Sequence, residues 1–292
     1  MKAAPFRYLA PDSLEEAVSL LAEHGDAAKA LAGGQSLVPL MAFRFATPSV
    51  LVDLNRIDGL DRIRIDADTL AMGALARHRD VELTAGLEER CPMIHEAVAL
   101  IGHVAIRNRG TVGGSIAHAD PAAEWPGLLT ALDGEVDAVG PSGRRTILAD
   151  ALFDSYFTTT LRQDELITDV RVRLPEGRSG SAFVELARRH GDFAIAGAGV
   201  VLGFDDEGSI ERARVALIGV GERPILSQAA EQILLGADAT DEVFELAATA
   251  AASQLEPMSD VHGTADYRRH LASTLTRRAL ATARDRAFPE RN

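Results

Sequence analysis

The sequence predicts an α+β protein, in which strands and helices are interspersed without strict β-α alternation. Its 292 residues suggest two or three domains. The content of 47% hydrophobic and 25% charged residues is typical of an ordinary globular protein. An uncharged apolar run at residues 194–204 contains three glycines and is shorter than the roughly 20 residues that a membrane span needs. No transmembrane segment is therefore predicted.

Residues 1–57 predict a small β-α-β-α-β unit. Asp12 or Ser13 caps a first helix that starts at Leu14, and Gly25 ends it. A short strand in AKALAG is followed by a helix in LVPLMAFR, which runs to Ala46 because Pro48 stops it. The strand VLVDL closes the unit.

Residues 58–176 predict a middle unit. DRIRID and TLAMGAL form a hairpin, and residues 78–102 form a helical region punctuated by Gly86 and Pro92. The stretch RNRGTVGGSIAHADPAAEWP is rich in Gly and Pro and has little periodicity, so it is predicted to be a long ordered loop. Next come a helix end and two strands around a Gly-Pro-Ser-Gly turn. The alternating strand ELITDVRVRL follows, and Pro175 closes the unit.

Residues 177–292 predict a C-terminal domain, with EGRSGS as the boundary. Three strands are expected in AFVELARR, FAIAGAGVVLGFD and ERARVALIGVG, followed by helices in DEVFELAATAAASQL and ADYRRHLASTLTRRALATARDRA. Four arginines of the last helix, Arg268, Arg269, Arg277 and Arg278, are expected on a solvated face.

Charge and cysteine content exclude several classes of protein. The formal charge is −13, from 43 acidic and 30 basic side chains, which argues against nucleic-acid binding. Cys91 is the single cysteine, so this chain forms no internal disulfide, no Cys₄ zinc site and no iron–sulfur cluster of its own. Cys91 is expected to be an inert packed thiol. With no recognisable secretion signal, these features predict a reduced, cytoplasmic protein.

The common catalytic and nucleotide motifs are missing. No Gly-Lys pair occurs, which excludes a P-loop, and neither G-x-S-x-G nor H-E-x-x-H is present. The nearest approach to G-x-G-x-x-G, at residues 197–203, has its third glycine one position late and lies within a strand. We therefore predict no catalytic side chain and no metal ligand in this chain.

Two glycine loops are better candidates for ligand binding. LAGGQS, at residues 31–36, and TVGGSIA, at residues 111–117, each place a Gly pair beside hydroxyl side chains. Such turns form nests of N–H groups that suit a diphosphate, with Ser36, Thr111 and Ser115 as further donors. For either loop taken alone, the alternative is a turn that only connects two elements and binds no ligand.

Other polar residues have simple alternatives. His118 contacts a ligand or is only a hydrogen-bonded loop histidine. The turn at residues 188–192 is expected to be a solvated hairpin tip, and Arg107 and Arg109 a solvated loop edge.

Three stretches together resemble a known family. AGGQSLVPLMAFR, AIRNRGTVGGSIAHADPAAEWP and ELARRHGDFAIAG are similar to the signatures of the FAD-binding medium subunit of molybdenum hydroxylases. The carbon monoxide dehydrogenase medium-subunit group is the best match, and the flavin domain of xanthine dehydrogenase is also similar. The resemblance implies a two-subdomain FAD-binding clamp of the vanillyl-alcohol oxidase, or PCMH, type, followed by a C-terminal sheet-and-helix domain.

The resemblance also implies a set of cofactor-binding residues. Residues of the first loop would hold one side of the FAD diphosphate, and residues of the second loop would hold the other side. The residues that follow the second loop, together with two isoleucines, would line the cofactor. In chain order these residues are Leu31, Ala32, Gly33, Gly34, Gln35, Ser36, Leu37, Ile101, Thr111, Gly113, Gly114, Ser115, Ala117, His118, Glu124 and Ile167. Glu124 matches an acidic position that hydrogen-bonds the cofactor. Val184 stands where the xanthine dehydrogenase branch has a lysine, so a lysine-to-flavin contact is absent.

The function implied by the resemblance is electron relay. A large molybdopterin-binding subunit would oxidise the substrate, a small subunit would carry [2Fe–2S] clusters, and the FAD of this chain would pass the electrons to a terminal acceptor within a dimer of heterotrimers. Two alternatives stay open, a self-contained flavin oxidase of the vanillyl-alcohol oxidase type and an FAD-free assembly subunit. The substrate, the acceptor and the roles of Arg188, Arg189, His190 and Asp192 are not determined by the sequence.

Overall fold

The computed structural model describes residues 2–289, so Met1 and the last three residues of the predicted C-terminal domain lie outside it. Three main sheets and the helices packed on them follow one another along the chain. Within residues 2–289 no helix combines the length and the apolar character that crossing a membrane requires.

The N-terminal unit is the predicted β-α-β-α-β arrangement. Its three parallel strands lie in the order β1-β3-β2. Ser13 caps α1 by accepting a hydrogen bond from the Glu16 N–H, and Gly25 ends the helix at φ 48°. Helix α2 stops three residues earlier than predicted, because Arg44 adopts the left-handed conformation at φ 62°. The elements are β1 (Arg7–Leu9), α1 (Leu14–His24), a 3₁₀ turn (Gly25–Ala27), β2 (Ala28–Leu31), α2 (Leu37–Phe43) and β3 (Val50–Asp53).

The middle unit is built on a five-stranded antiparallel sheet in the order β4-β5-β10-β6-β7. Its strands are β4 (Ile63–Ile65), β5 (Thr69–Gly73), β6 (Glu135–Gly140), β7 (Gly143–Leu148) and β10 (Leu166–Arg173), with a small hairpin of β8 (Phe153–Ser155) and β9 (Thr158–Thr159). Its helices are α3 (His78–Glu82), α4 (Leu87–Arg90), α5 (Pro92–Leu100), α6 (Val104–Arg107), α7 (Val112–His118), α8 (Glu124–Ala131) and α9 (Ala149–Leu152).

The predicted long ordered loop of the middle unit is wrong, because α7 and the start of α8 occupy half of it. The Thr111 hydroxyl caps α7 by accepting from the Gly114 N–H at 3.1 Å. Glycine at position 113 is required by packing, since a Cβ there would lie 2.6 Å from the Ala74 Cβ. Close approach of helix and strand outweighs the low helix propensity of glycine, which costs about 1 kcal/mol per residue.

The C-terminal domain is an antiparallel sheet in the order β11-β12-β13-β14, covered by three helices. Its strands are β11 (Ser179–Leu186), β12 (Ala196–Phe204), β13 (Ile210–Ile218) and β14 (Ile225–Leu226), and its helices are α10 (Gln228–Leu234), α11 (Asp241–Ser253) and α12 (Ala265–Ala287). β11 starts inside EGRSGS, because α12 packs directly on its backbone: a Cβ on Gly180 would lie 1.9 Å from the Ala283 carbonyl oxygen.

One arginine of α12 is not solvated as predicted. Arg268 is 8% exposed. It donates to the carbonyls of Ile195 at 2.6 Å and Gly219 at 2.8 Å, and to Asp260 at 2.7 Å. It therefore fastens α12 to the ends of β12 and β13, whereas Arg277 and Arg278 are exposed as expected.

Each unit has a hydrophobic core, and the middle core extends into the C-terminal sheet. Trp125 and Leu128 of α8 share one cluster with Phe183 and Ile218 of that sheet. Cys91 belongs to the same cluster and is fully buried. The prediction of a packed thiol is therefore confirmed. Burial raises the pKa of this thiol to about 11, and its inertness stays a prediction.

Candidate cofactor-binding site

The structure brings the two glycine loops into contact. A Cβ on Gly33 would lie 2.3 Å from the Arg109 carbonyl oxygen and 2.8 Å from the Gly110 Cα. A Cβ on Gly114 would lie 3.6 Å from the Ala32 Cβ. Residues 31–37 of the N-terminal unit and residues 109–118 of the middle unit therefore face each other across the boundary between the two units.

The first loop presents a row of free backbone donors. Gly34 is held at φ +71°, and the Gln35 side-chain amide donates to the Gly33 carbonyl at 3.0 Å. No acceptor within residues 2–289 takes the backbone N–H of Gly33, Gly34, Gln35 or Ser36. Leu31 ends β2 and Leu37 opens α2, so both ends of this row are fixed by regular structure. Consecutive unpaired N–H groups fit an anionic diphosphate.

The second loop has a different chemistry, because its backbone donors are already engaged. The N–H groups of Gly113, Gly114 and Ser115 donate to the Ala74 carbonyl, the Thr111 hydroxyl and the Thr111 carbonyl. What this loop offers a ligand is the hydroxyls of Thr111 and Ser115. Gly113 is buried and lets the helix approach β5, whereas Ala117 is exposed.

Two residues that the sequence analysis missed connect the loops. Asn55, just after β3, donates from its Nδ2 to the Ala32 carbonyl at 2.9 Å. Arg77, just before α3, donates to the Asn55 Oδ1 at 2.6 Å and also to the Arg109 carbonyl. We call Asn55 and Arg77 the brace. The signal for both was their place in a loop beside regular structure, since loops on a rigid scaffold often carry functional residues.

A buried pair of side chains, His78 and Trp125, packs against the turn that precedes the second loop. The Trp125 Nε1–H donates to the His78 Nδ1 at 3.0 Å, and both side chains are buried. Burial, assisted by the charges of Arg107 and Arg77, lowers the pKa of His78 to about 3. A Cβ on Gly110 would lie 2.7 Å from the His78 Cδ2, so this neutral ring sets the position of the turn before Thr111.

Arg107 is not the solvated loop residue that was expected. It is 5% exposed and forms an ion pair with Glu82 at 2.9 Å. Its Nη1 donates to the carbonyls of Ala99, Ile101 and Gly102 at 3.1–3.2 Å. Burial would raise the pKa of Glu82, but hydrogen bonds from arginine lower it. Arg107 thereby positions Ile101, whereas Arg109 is exposed as expected.

The turn at residues 188–192 is exposed as expected, but it is also packed against the middle unit. A Cβ on Gly191 would lie 2.9 Å from the Gly102 carbonyl atoms. The rings of His190 and His103 are 6.2 Å apart. The turn therefore lies beside the segment that carries Ile101.

The remaining candidates lie around α7 and α8. His118 ends α7 with its ring 5.3 Å from that of Phe157, and burial lowers its pKa. Ile167 of β10 is 6% exposed and belongs to the middle core. Glu124 is the first residue of α8 and is 4% exposed. Its pKa is raised well above the ordinary value, first by burial and then by the negative charge of Glu185.

Val184 occupies the position of the missing lysine, and the alternation of side chains along β11 determines which way it faces. Val184 packs against the C-terminal core, whereas Phe183 belongs to the middle core. Glu185, two residues after Phe183, faces the same side of the sheet as Phe183. Within the described residues, no three His, Cys, Asp or Glu side chains are grouped closely enough to hold a metal ion.

The chain is similar to known proteins over its whole length. Residues 4–176 match the FAD binding domain in molybdopterin dehydrogenase, and residues 181–283 match the CO dehydrogenase flavoprotein C-terminal domain. Subunit alpha of the 6-hydroxypseudooxynicotine dehydrogenase complex of Paenarthrobacter nicotinovorans is 46% identical, over 99% of this chain and 98% of that protein. The caffeine dehydrogenase subunit beta of Pseudomonas sp. (strain CBB1) is 39% identical, over 98% and 97%.

Solved structures agree with these relationships. A chain of carbon monoxide dehydrogenase from Hydrogenophaga pseudoflava superposes with a TM-score of 0.95 at 40% identity, covering 98% of this chain and 99% of that one. A chain of quinoline 2-oxidoreductase from Pseudomonas putida 86 superposes at 0.93 with 36% identity, covering 99% and 100%. The matched domains and this likeness across the full chain confirm the α+β clamp with its C-terminal domain. The chain therefore belongs to the FAD-binding medium subunits of the molybdenum hydroxylases, a family of oxidoreductases that includes the carbon monoxide dehydrogenase medium chains.

Proposed function

We propose that this chain is the electron-relay subunit of a molybdenum hydroxylase, with FAD bound between residues 31–37 and residues 111–118. The observation that carries the proposal is the contact between the two loops, where Gly33 lies against Arg109 and Gly110. Unpaired N–H groups lie on the first loop, at residues 33–36, and the hydroxyls of Thr111 and Ser115 lie on the second. Together these groups offer donors to both sides of a diphosphate without any lysine. Bound FAD supplies the redox chemistry.

The surrounding residues have separate roles in this proposal. Leu31, Ala32 and Leu37 frame the first loop. Gly113 lets α7 approach β5, and Gly114 faces Ala32 of the first loop. Ala117, His118, Ile101 and Ile167 lie along the flavin, and Glu124 accepts a hydrogen bond from the cofactor. These side chains bind and orient FAD, and none of them acts as an acid or base on a substrate.

The electrons come from outside this chain. With Cys91 as its single cysteine, the chain cannot ligate a [2Fe–2S] cluster, which takes four protein ligands. We propose that a small subunit carries the clusters, that a large molybdopterin-binding subunit oxidises the substrate, and that the complex is a dimer of heterotrimers. The relatives are named for chemically unlike substrates, which agrees with a substrate chosen by the large subunit.

The domain limits belong to the same proposal. Residues 1–57 and 58–176 form the two halves of the clamp, and residues 177–292 form the C-terminal domain. A cytoplasmic location, expected from the sequence, stays a prediction.

Anaerobic spectrophotometry tests the relay. The purified chain should bind FAD, bleach with dithionite and reoxidise with an added acceptor. No organic substrate should bleach it until the iron–sulfur and molybdenum subunits are added. Rapid bleaching of the chain alone by a substrate would favour the self-contained oxidase, and a colourless chain that takes up no FAD would favour the assembly subunit.

The role of Glu124 as a hydrogen-bond acceptor for FAD can be tested separately. Replacing Glu124 by Ala should weaken FAD binding by about 1–3 kcal/mol, the range for losing a hydrogen bond with a charged partner. Unchanged FAD affinity in this variant would refute the assigned role.

A further inference from the structure

An aspartate at the end of β3 starts a chain of hydrogen bonds that reaches the first glycine loop. Asp53 pairs in register with Leu31, the last residue of β2. The Asp53 Oδ1 accepts from the Asn55 backbone N–H at 2.9 Å and also from the Asn55 Nδ2. The same Nδ2 donates to the Ala32 carbonyl at 2.9 Å. Asp53 therefore holds the side chain that holds the loop.

The side-chain amide of Asn55 has one orientation that suits all of its neighbours. Its Oδ1 accepts from the Arg77 Nη2 at 2.6 Å, and the two hydrogens of its Nδ2 go to Asp53 and to the Ala32 carbonyl. If the amide were turned over, its oxygen would face two acceptors and its NH₂ group would face a guanidinium. The carboxylate of Asp53 therefore helps to fix which way Asn55 presents its donor.

Anchoring the Ala32 carbonyl also sets the direction of the next backbone donor. In a planar trans peptide the carbonyl and the N–H point in opposite directions, so the Gly33 N–H is directed away from Asn55. The Gln35 side chain does the same for the following peptide, because its amide donates to the Gly33 carbonyl at 3.0 Å and so directs the Gly34 N–H. Neither N–H has an acceptor within residues 2–289. Two neighbouring free donors are thus each oriented by a side-chain amide.

The second oxygen of Asp53 is engaged as well. Its Oδ2 accepts from the hydroxyl of Tyr8, on the strand at the other side of β3. Burial would raise the pKa of the Asp53 carboxyl, but the hydrogen bonds from Tyr8 and Asn55 lower it, so this group is an anion at neutral pH. A negative charge near a site for a diphosphate is unfavourable in itself. The contribution of Asp53 therefore lies in its hydrogen bonds and not in its charge.

We propose that Asp53 is a positioning residue that acts through Asn55 to aim the Gly33 N–H at the FAD diphosphate. The inference rests on the proposed function, since it takes the N–H groups of the first loop as diphosphate donors. Asp53 itself does not touch the cofactor, because Tyr8 and Asn55 occupy its two oxygens. Its effect is to order the loop before FAD binds, which lowers the entropic cost of binding.

The charge of Asp53 and its hydrogen bonds have opposite effects on FAD binding, so one variant separates them. Asp53→Ala removes a negative charge near the diphosphate, which alone would lower the FAD Kd. Because the variant also removes the anchor of Asn55, we expect fluorescence titration of the FAD-free full chain to give a Kd about tenfold higher. Asp53→Asn keeps an oxygen for the N–H groups of Asn55 and should fall between wild type and Asp53→Ala. An unchanged or lower Kd in Asp53→Ala would overturn the proposal.

A double-mutant cycle tests whether Asp53 acts through Asn55. Asn55→Ala alone should raise the FAD Kd about tenfold, and adding Asp53→Ala should raise it no further, because the anchor then has nothing to hold. Tyr8→Phe is a milder variant that removes one donor to the carboxylate. It should raise the Kd about threefold in the wild-type chain and not at all in Asn55→Ala. Effects that multiply in either pair would show that the residues act independently and would overturn the proposal.

Asp205→Ala is the matched control for a general loss of stability. Asp205 is half-buried like Asp53, and it too accepts a backbone N–H, that of Ser209 at 2.8 Å, but in the turn between β12 and β13. Its replacement should leave the FAD Kd unchanged. A rise in Kd equal to that of Asp53→Ala would mean that any weakened turn has this effect, and the proposal would fail.

Nuclear magnetic resonance of the ¹³C-labelled, FAD-free full chain gives a readout independent of the cofactor. The Ala32 carbonyl signal should move upfield in both Asp53→Ala and Asn55→Ala, because the carbonyl loses its donor, and stay in place in Asp205→Ala. If wild type bound no FAD at all, the proposed function would fail, and this signal would still decide whether Asp53 controls the loop. An unshifted Ala32 signal in Asp53→Ala would overturn the inference even where FAD binds normally.

Discussion

The contact between the two loops makes Gly33 the most sensitive position of the site. In Gly33→Ala the new Cβ would be 2.3 Å from the Arg109 carbonyl oxygen, whereas ordinary contacts start near 3.4 Å. The loops must therefore separate by about 1 Å, since protein interiors are close-packed and do not absorb such an overlap. Gly33 is not among the glycines with positive φ, so the effect of alanine here is steric and not conformational.

The size of the effect follows from the groups that are displaced. The overlap itself should lower the free energy of unfolding of the FAD-free chain by about 1–3 kcal/mol. If two N–H donors of the first loop each lose about 1.5 kcal/mol of interaction with the charged diphosphate, the FAD Kd should rise by about two orders of magnitude.

Fluorescence titration with FAD and thermal unfolding of the FAD-free chain measure the two effects separately. Gly86→Ala is the matched control. Gly86 has a positive φ of 74° but nothing within 4 Å of a new Cβ, so alanine there should cost about 1 kcal/mol of stability and leave FAD binding unchanged. If Gly33→Ala bound FAD with the wild-type Kd, the placement of the diphosphate between these loops would be refuted.

Three further predictions follow from other contacts. Arg77→Met removes the side chain that donates to both Asn55 and the Arg109 carbonyl, and it should raise the FAD Kd about tenfold. Arg77→Lys should recover part of the affinity. A loss of thermal stability without any change in Kd would show that the brace does not set the spacing of the loops. Cys91 is buried with a pKa near 11, so iodoacetamide at pH 8 should label it only after unfolding, and fast labelling of the folded chain, followed by mass spectrometry, would contradict the structure. The raised pKa of Glu185 means that the folded chain binds more protons than the unfolded chain between about pH 4.5 and 7. Denaturant titrations should therefore show the stability of wild type relative to Glu185→Gln falling by about 1–2 kcal/mol from pH 6 to 8, and a difference that stays constant would rule out the titration.

Most elements could be predicted from the sequence because their signals are local. Ser13 and Gly25 mark the ends of α1, and strand periodicity identifies the β11–β13 strands. The Gly-Gly pair at residues 113 and 114 misled because it suggests a turn, whereas it serves the packing of α7 against Ala74. That requirement arises from residues far apart in the sequence.

The candidate site shows the same division. Its glycines and hydroxyls are visible as motifs, but Asn55 and Arg77 acquire their roles only through contacts with distant segments. Arg107 and Arg268 were expected in solvent because arginine usually is. Their partners are backbone carbonyls, which no side-chain pattern reveals.

Trp125 gives the chain a built-in optical probe. It is the single tryptophan of the sequence, it is fully buried, and it directly follows Glu124. All indole emission therefore originates beside the proposed flavin position, and bound FAD, which absorbs in the range of that emission, should quench it. Its partner His78 stays uncharged far below neutral pH, so the signal is free of the quenching that a protonated imidazole would cause. Emission of the unlabelled chain thus reports both cofactor occupancy and integrity of the middle core.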